Sequence, residues 1–118
     1  MTSAFVDQIY VVTSQLLSAS WQNPFGPDVD VCMVGGKMFV LLGGPVEQVT
    51  LKCDPDEAMA LCAAHREITP GYHMNKKHWI TARPGVPESL LDGLIVDSYF
   101  LVGKGIPQKR RPALGIAH

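Results

Sequence analysis

No stretch of this 118-residue chain comes near the ~20 consecutive apolar residues that a membrane-spanning helix needs. The first residues also lack the basic start and apolar core of a secretory signal. Those two absences make the cytoplasm the expected compartment and leave no membrane role. Cysteine is scarce. Cys32, Cys53 and Cys62 form no CxxC pair, and an odd, widely spaced set argues against a disulfide framework. Each reads as a small, buried or half-buried thiol. Charge is sparse too, at 18% of residues against 47% hydrophobic, a balance that argues against a disordered chain. GxSxG, P-loop and HExxH patterns are all missing. "GGK" at 35–37 is no phosphate loop, because a hairpin explains it and no helix follows.

What is present suits one domain with a core of its own. Phe5, Ile9, Val12 and Leu16 recur at helical spacing, which predicts a first helix over 3–18. "NPFGPD" at 23–28 forces a turn. "DVDVCMV" alternates as a strand, and Gly35–Gly36 supply a two-residue hairpin. The return strand "KMFVLL" is apolar on both faces, which places it centrally. "QVTLK" at 48–52 pairs back onto it. Asp54, Pro55 and Glu57 mark the start of a second helix running to about Ala64. "KHWIT" at 77–81 reads as the fourth strand. Pro87 opens a last helix that Gly103 can end. Residues 1–103 form the expected domain. Residues 104–118, with Pro107, Pro112 and the run "KRR", form an expected basic, mobile tail. The order α-β-β-β-α-β-α predicts an α+β fold, an antiparallel sheet with helices packed against it.

Formal charge is −1 overall but is unevenly spread along the chain. Residues 1–60 hold two lysines against seven carboxylates, a net −5, and residues 61–118 hold eight cations against four carboxylates, a net +4. A nearly neutral domain can still carry a basic face.

The densest chemistry lies in "ITPGYHMNKKHWIT" at 68–81. Pro70 and Gly71 suggest a type II turn with positive φ at Gly71. This stretch belongs to a larger pattern. "PFGPDVDV" at 24–31, "GGKMF" at 35–39, "LKCDPDEA" at 51–58, "ITPGYHMNKKHW" at 68–79 and "SYFLV" at 98–102 together resemble the MmcQ/YjbR family. The resemblance covers about Asn23 to Val102. It implies a compact α+β fold related to secretion-chaperone-like proteins and DNA binding through a surface described as two wings. It implies no catalytic reaction. The slightly acidic overall charge departs from what strong, nonspecific DNA affinity would ask for.

Several functions compete for these residues. For nucleic acid, Lys76 and Lys77 supply phosphate-attracting charge and Asn75 supplies amide donors. Tyr72 or Trp79 can stack on a base, with His73 beside them. Lys109, Arg110 and Arg111 can add an electrostatic arm, and Arg83 would join if it shares their face. The plain alternative puts Trp79 in the core, Tyr72 bracing the turn and the lysines in solvent. A second function class is a protein- or peptide-binding, chaperone-like module without nucleic-acid affinity. Metal binding is disfavoured, because the spacings of His65, His73 and His78 match no familiar ligand repeat. No carboxylate lies within 68–81 to orient a histidine, so no catalytic residue and no cofactor is assigned.

Overall fold

Ser3 starts the first helix, its hydroxyl accepting the Val6 N–H at 3.1 Å. The structure, a computed structural model, describes residues 3–71, 75 and 77–117. Helix α1 covers Ala4–Ser14 and buries Phe5, Ile9 and Thr13. It stops four residues short of the expected end. Leu16 forms an antiparallel bridge with Ile116, and Ser18 takes a left-handed φ of 66°. The chain then enters strand β1, Ala19–Gln22, which lies between the expected helix and the expected turn at 23–28. Trp21 holds β1 to α1. Its Nε1 donates to Thr13 Oγ1 at 3.1 Å and its ring packs 4.6 Å from that of Tyr10.

Strands β2 (Val29–Val34) and β3 (Lys37–Gly43) meet at Gly35–Gly36, with φ of 56° and 77° as the hairpin required. Gly35 is doubly constrained. A Cβ there would stand 2.6 Å from Ile106 Cδ1. A register shift beside Cys32–Met33 lets consecutive Phe39 and Val40 both be buried. That explains the two-sided apolar character of β3.

Strand β4 (Val49–Lys52) pairs with β3, and its buried Thr50 bonds Thr81 at 2.9 Å. Helix α2 (Pro55–Ala64) starts where expected, with Asp54 Oδ2 accepting from the N–H groups of Asp56 and Glu57. Strand β5 (Ile68–Pro70) was hidden by its proline. Pro70 is tolerated because β5 lies at the sheet edge. Strand β6 is Trp79–Ala82, and Lys77 and His78 belong to the turn before it. The sheet order is β1-β2-β3-β4-β6-β5, antiparallel throughout. The expected α+β architecture stands, with two strands more than the sequence suggested.

Helix α3 (Glu88–Lys104) packs across β3 and β4, α1 packs on α3, and α2 packs on β5 and β6. Ser98 ties α3 to the sheet. Its hydroxyl donates to Phe39 O at 2.6 Å and accepts the Lys52 N–H at 2.8 Å. Tyr99 packs edge-on against Phe39 and donates to Leu17 O at 2.6 Å. Among the described residues, no helix is long and apolar enough to cross a membrane.

Two expectations need correction. Gly71 does not have a positive φ. It is needed for space, since a Cβ would stand 2.7 Å from Trp79 Cβ. The segment after Lys104 is also not a free tail. Ile106 is buried, Pro112 lies against the Gly35 hairpin, and Leu114 packs on Gly103, which continues the helix instead of ending it. Further on, the Leu17 N–H donates to Gly115 O at 2.9 Å, and Ala117 N–H donates to Gln15 O at 2.6 Å. The Cα radius of gyration, 13.4 Å, is that of a compact chain of this length, about 13–14 Å.

Candidate nucleic-acid interface

The register of two short strands creates the site. Lys52 and Trp79 are directly opposed in the β4–β6 ladder. The next pair along is hydrogen-bonded, with Cys53 N–H donating to His78 O at 2.8 Å. Lys52 and Trp79 therefore form a non-hydrogen-bonded pair, whose side chains lie close together on one face. The pairing of Val40 with Leu51 brings the start of β3 to the same end of the sheet, and with it Lys37. The C-terminal turn of α3 and the buried Ile106 close that end. The result is a cleft of about 360 Å³ lined by Lys37, Met38, Lys52, Trp79, Val102 and Ile106, with Gly105 at its edge. Two lysines, one indole and apolar walls meet there, and among the described residues no carboxylate lines it.

A helix C-terminus would normally repel an anion. Here Arg111 offsets it. Its guanidinium donates to Lys104 O at 2.8 Å and to Ile106 O at 3.0 and 3.1 Å. Arg111 was expected as part of a nucleic-acid arm, but its Nε and Nη2 donors are engaged at the end of α3. Lys109 and Arg110, on a short 3-10 turn over Gln108–Arg110, remain exposed. They lie between Ile106, in the cleft wall, and Pro112, against the hairpin that leads to Lys37.

The other expected residues divide. Trp79 is half-buried, neither a core residue nor a free platform, and lines the cleft. Lys77 is exposed and lies at the same end of β6. Asn75 shapes the turn, its Oδ1 accepting the Lys77 N–H at 3.0 Å and its carbonyl the His78 N–H at 3.1 Å. Tyr72, His73 and Lys76 lie outside the described residues. Arg83 is separated from the group. It follows β6 at the opposite end, where its N–H donates to Glu67 O at 3.0 Å.

Lys37 and Lys52 escaped the sequence reading because both come from the acidic half of the chain. They are distant in sequence from "NKKHW", and only the sheet order makes them neighbours of Trp79. The hairpin signal before Lys37 and the strand end at Lys52 were visible. Their convergence was not.

The thiols offer little nucleophilic chemistry. Burial pushes Cys32 and Cys53 up to about 12, and raises Cys62 as well, so all three favour the protonated form near neutral pH. Among the described residues, no group of three or more His, Cys, Asp or Glu side chains is placed to hold a metal ion.

A second concavity, about 420 Å³, lies between α2 and the β5–β6 edge. It is lined by Pro55, Ala58, Met59, Cys62, Pro70 and Ile80, with Lys77 at its rim. Lys77 thus lines this second concavity and not the first.

Comparison with known proteins agrees with the motifs. The chain is 46% identical over 91 residues to YbdF of Escherichia coli O157:H7, covering 73% of this chain and 74% of that protein. It is 32% identical over 68 residues to YjbR of Escherichia coli K12, covering 56% and 58% of the two chains. The crystal structure of Deinococcus radiodurans DR2400, a DUF419 domain, superposes with a TM-score of 0.83 at 35% identity, over 90% of this chain and 84% of that one. A Pseudomonas syringae protein of known structure gives a TM-score of 0.69 at 25% identity, over 86% and 99%. The sequence profile of the YjbR family matches residues 14–101, which is most of the chain. The protein belongs to the YjbR family.

Proposed function

We propose that the protein is a non-enzymatic nucleic-acid-binding module, with DNA as the leading ligand. One observation carries this reading: the gathering of Lys37, Lys52 and Trp79 in one cleft, with exposed Lys109 and Arg110 following its wall residue Ile106 in the chain. Phosphate contacts need cations in register, and base contacts need an aromatic or polar surface between them. This end of the sheet offers both, although the whole chain is slightly acidic. The exposed cations at this end gather charge from both halves of the sequence.

The test is fluorescence anisotropy with labelled duplex and single-stranded DNA over a salt series. Binding should weaken steeply as salt rises. The double variant Lys37→Ala/Lys52→Ala should flatten the slope of log K against log salt by up to ~2 units, about one for each lost phosphate contact. Absence of binding by either DNA form at ~50 mM salt would remove this reading.

The groove beside α2 favours a second reading, a peptide-binding module. Met59 is 74% exposed on its rim, and flexible methionines suit adaptable apolar recognition. Loss of nucleic-acid binding in the first experiment would make that groove the leading surface.

A further inference from the structure

The cleft has a shape that duplex binding alone does not explain. A duplex presents phosphates on a convex surface, and exposed lysines on a ridge would serve it. Here the two lysines line a concavity whose other walls are largely apolar. Met38, Val102 and Ile106 form its walls, with Trp79 directly across the strand pair from Lys52. A volume of about 360 Å³ falls within the range of small-ligand sites. It suits one planar, partly apolar group with anionic attachments.

We propose that the cleft is a single-nucleotide pocket, in which one unpaired base of a nucleic acid stacks on Trp79 while phosphates on either side meet Lys37 and Lys52. The proposal rests on the nucleic-acid reading above and narrows it to strands whose bases are free to leave the stack.

Three features of the fold support the assignment. The Trp79 backbone is held across the β5–β6 pairing by Gly71, whose N–H donates to Trp79 O at 2.8 Å and whose missing Cβ lets the two backbones approach. Only the two side-chain torsions of the indole are then left to be fixed on stacking. Lys37 is placed by a tight hairpin that itself rests on Ile106 and Pro112. The carbonyls at the end of α3 are engaged by Arg111 and by the N–H groups of Gly105 and Ile106, so the cleft floor is not a field of free acceptors.

Binding of an oligothymidine 12-mer and of a blunt duplex should be compared at ~50 mM salt. The single strand should bind tighter by roughly 5- to 150-fold, the worth of one stacked base. In a Trp21→Phe background, leaving Trp79 as the indole reporter, the 12-mer should quench intrinsic fluorescence. Trp79→Leu should remove the strand preference while retaining salt-sensitive duplex binding. Lys52 is half-buried beside Trp79, so Lys52→Met keeps the stem and removes only the charge. It should weaken the 12-mer several-fold without lowering the melting temperature, so a folding failure of the Trp79 variant would not leave the matter undecided. Equal affinity for the two DNAs with no quenching would overturn the pocket and leave general nucleic-acid binding standing. No binding by either would remove both.

Discussion

Gly71 shows how a correct identity can carry a mistaken reason. "TPGY" suggested a turn that needs positive φ, yet the backbone there needs only room. A methyl group at position 71 would lie 2.7 Å from Trp79 Cβ and 3.0 Å from the Trp79 carbonyl carbon and oxygen. Backbone atoms cannot step aside as the end of a flexible side chain can. Gly71→Ala should therefore cost about 1–3 kcal/mol in urea denaturation, as overpacking does. It should also shift the emission of Trp79. A cost within ~0.5 kcal/mol, typical of an unconstrained surface site, would show that β5 slides away freely. Local sequence could not reveal this, because the clash is with a residue eight positions on and depends on how β5 pairs with β6.

At the scale of elements, strong local signals were legible and paired ones were not. The Asp54 cap, the Gly35–Gly36 hairpin and the apolar β3 appear where the residues alone put them. Strands β1 and β5 were hidden. The first alternates over only four residues directly after a helix, and the second ends in proline. The C-terminal segment was read as loose from its prolines and basic run. Its anchors are Leu114 on Gly103, Ile116 bridged to Leu16, and Gly115, whose carbonyl accepts the Leu17 N–H and whose own N–H donates to Tyr99 Oη at 3.1 Å. None of these has a periodic signature. A chain ending at Arg111 would keep the cap on α3 but lose those contacts. It should be less stable by about 2–4 kcal/mol, on the scale of truncating a buried leucine. The Leu17 amide should exchange faster with solvent. An unchanged melting temperature would show that the segment only rests on the surface.

The molecule as a whole redistributes charge that the sequence had sorted by halves. Lys37 and Lys52 come from the acidic half, whereas Arg83, from the basic half, lies at the far end of the sheet. The candidate site was thus legible around Trp79 and Lys77. It was misdrawn at Arg83 and incomplete at Lys37 and Lys52, because antiparallel register decides which strand ends meet. Arg83 gives the sharpest test of that geometry. It lies four residues beyond Trp79 along β6, about 13 Å at ~3.3 Å per residue, and beside Glu67. A ligand seated at the cleft should not need it. Arg83→Ala should leave the affinity for an oligothymidine strand within ~2-fold, an effect below 0.5 kcal/mol, and leave the salt slope unchanged. Lys37→Ala removes the same unit of charge but should reduce that slope by ~0.7, the single-strand value for one phosphate contact. Because the two variants change net charge equally, long-range attraction to the whole protein would weaken both alike. Equal losses would mean that net charge, and not the cleft, governs binding. A larger loss at Arg83 would move the binding surface to the opposite end of the sheet.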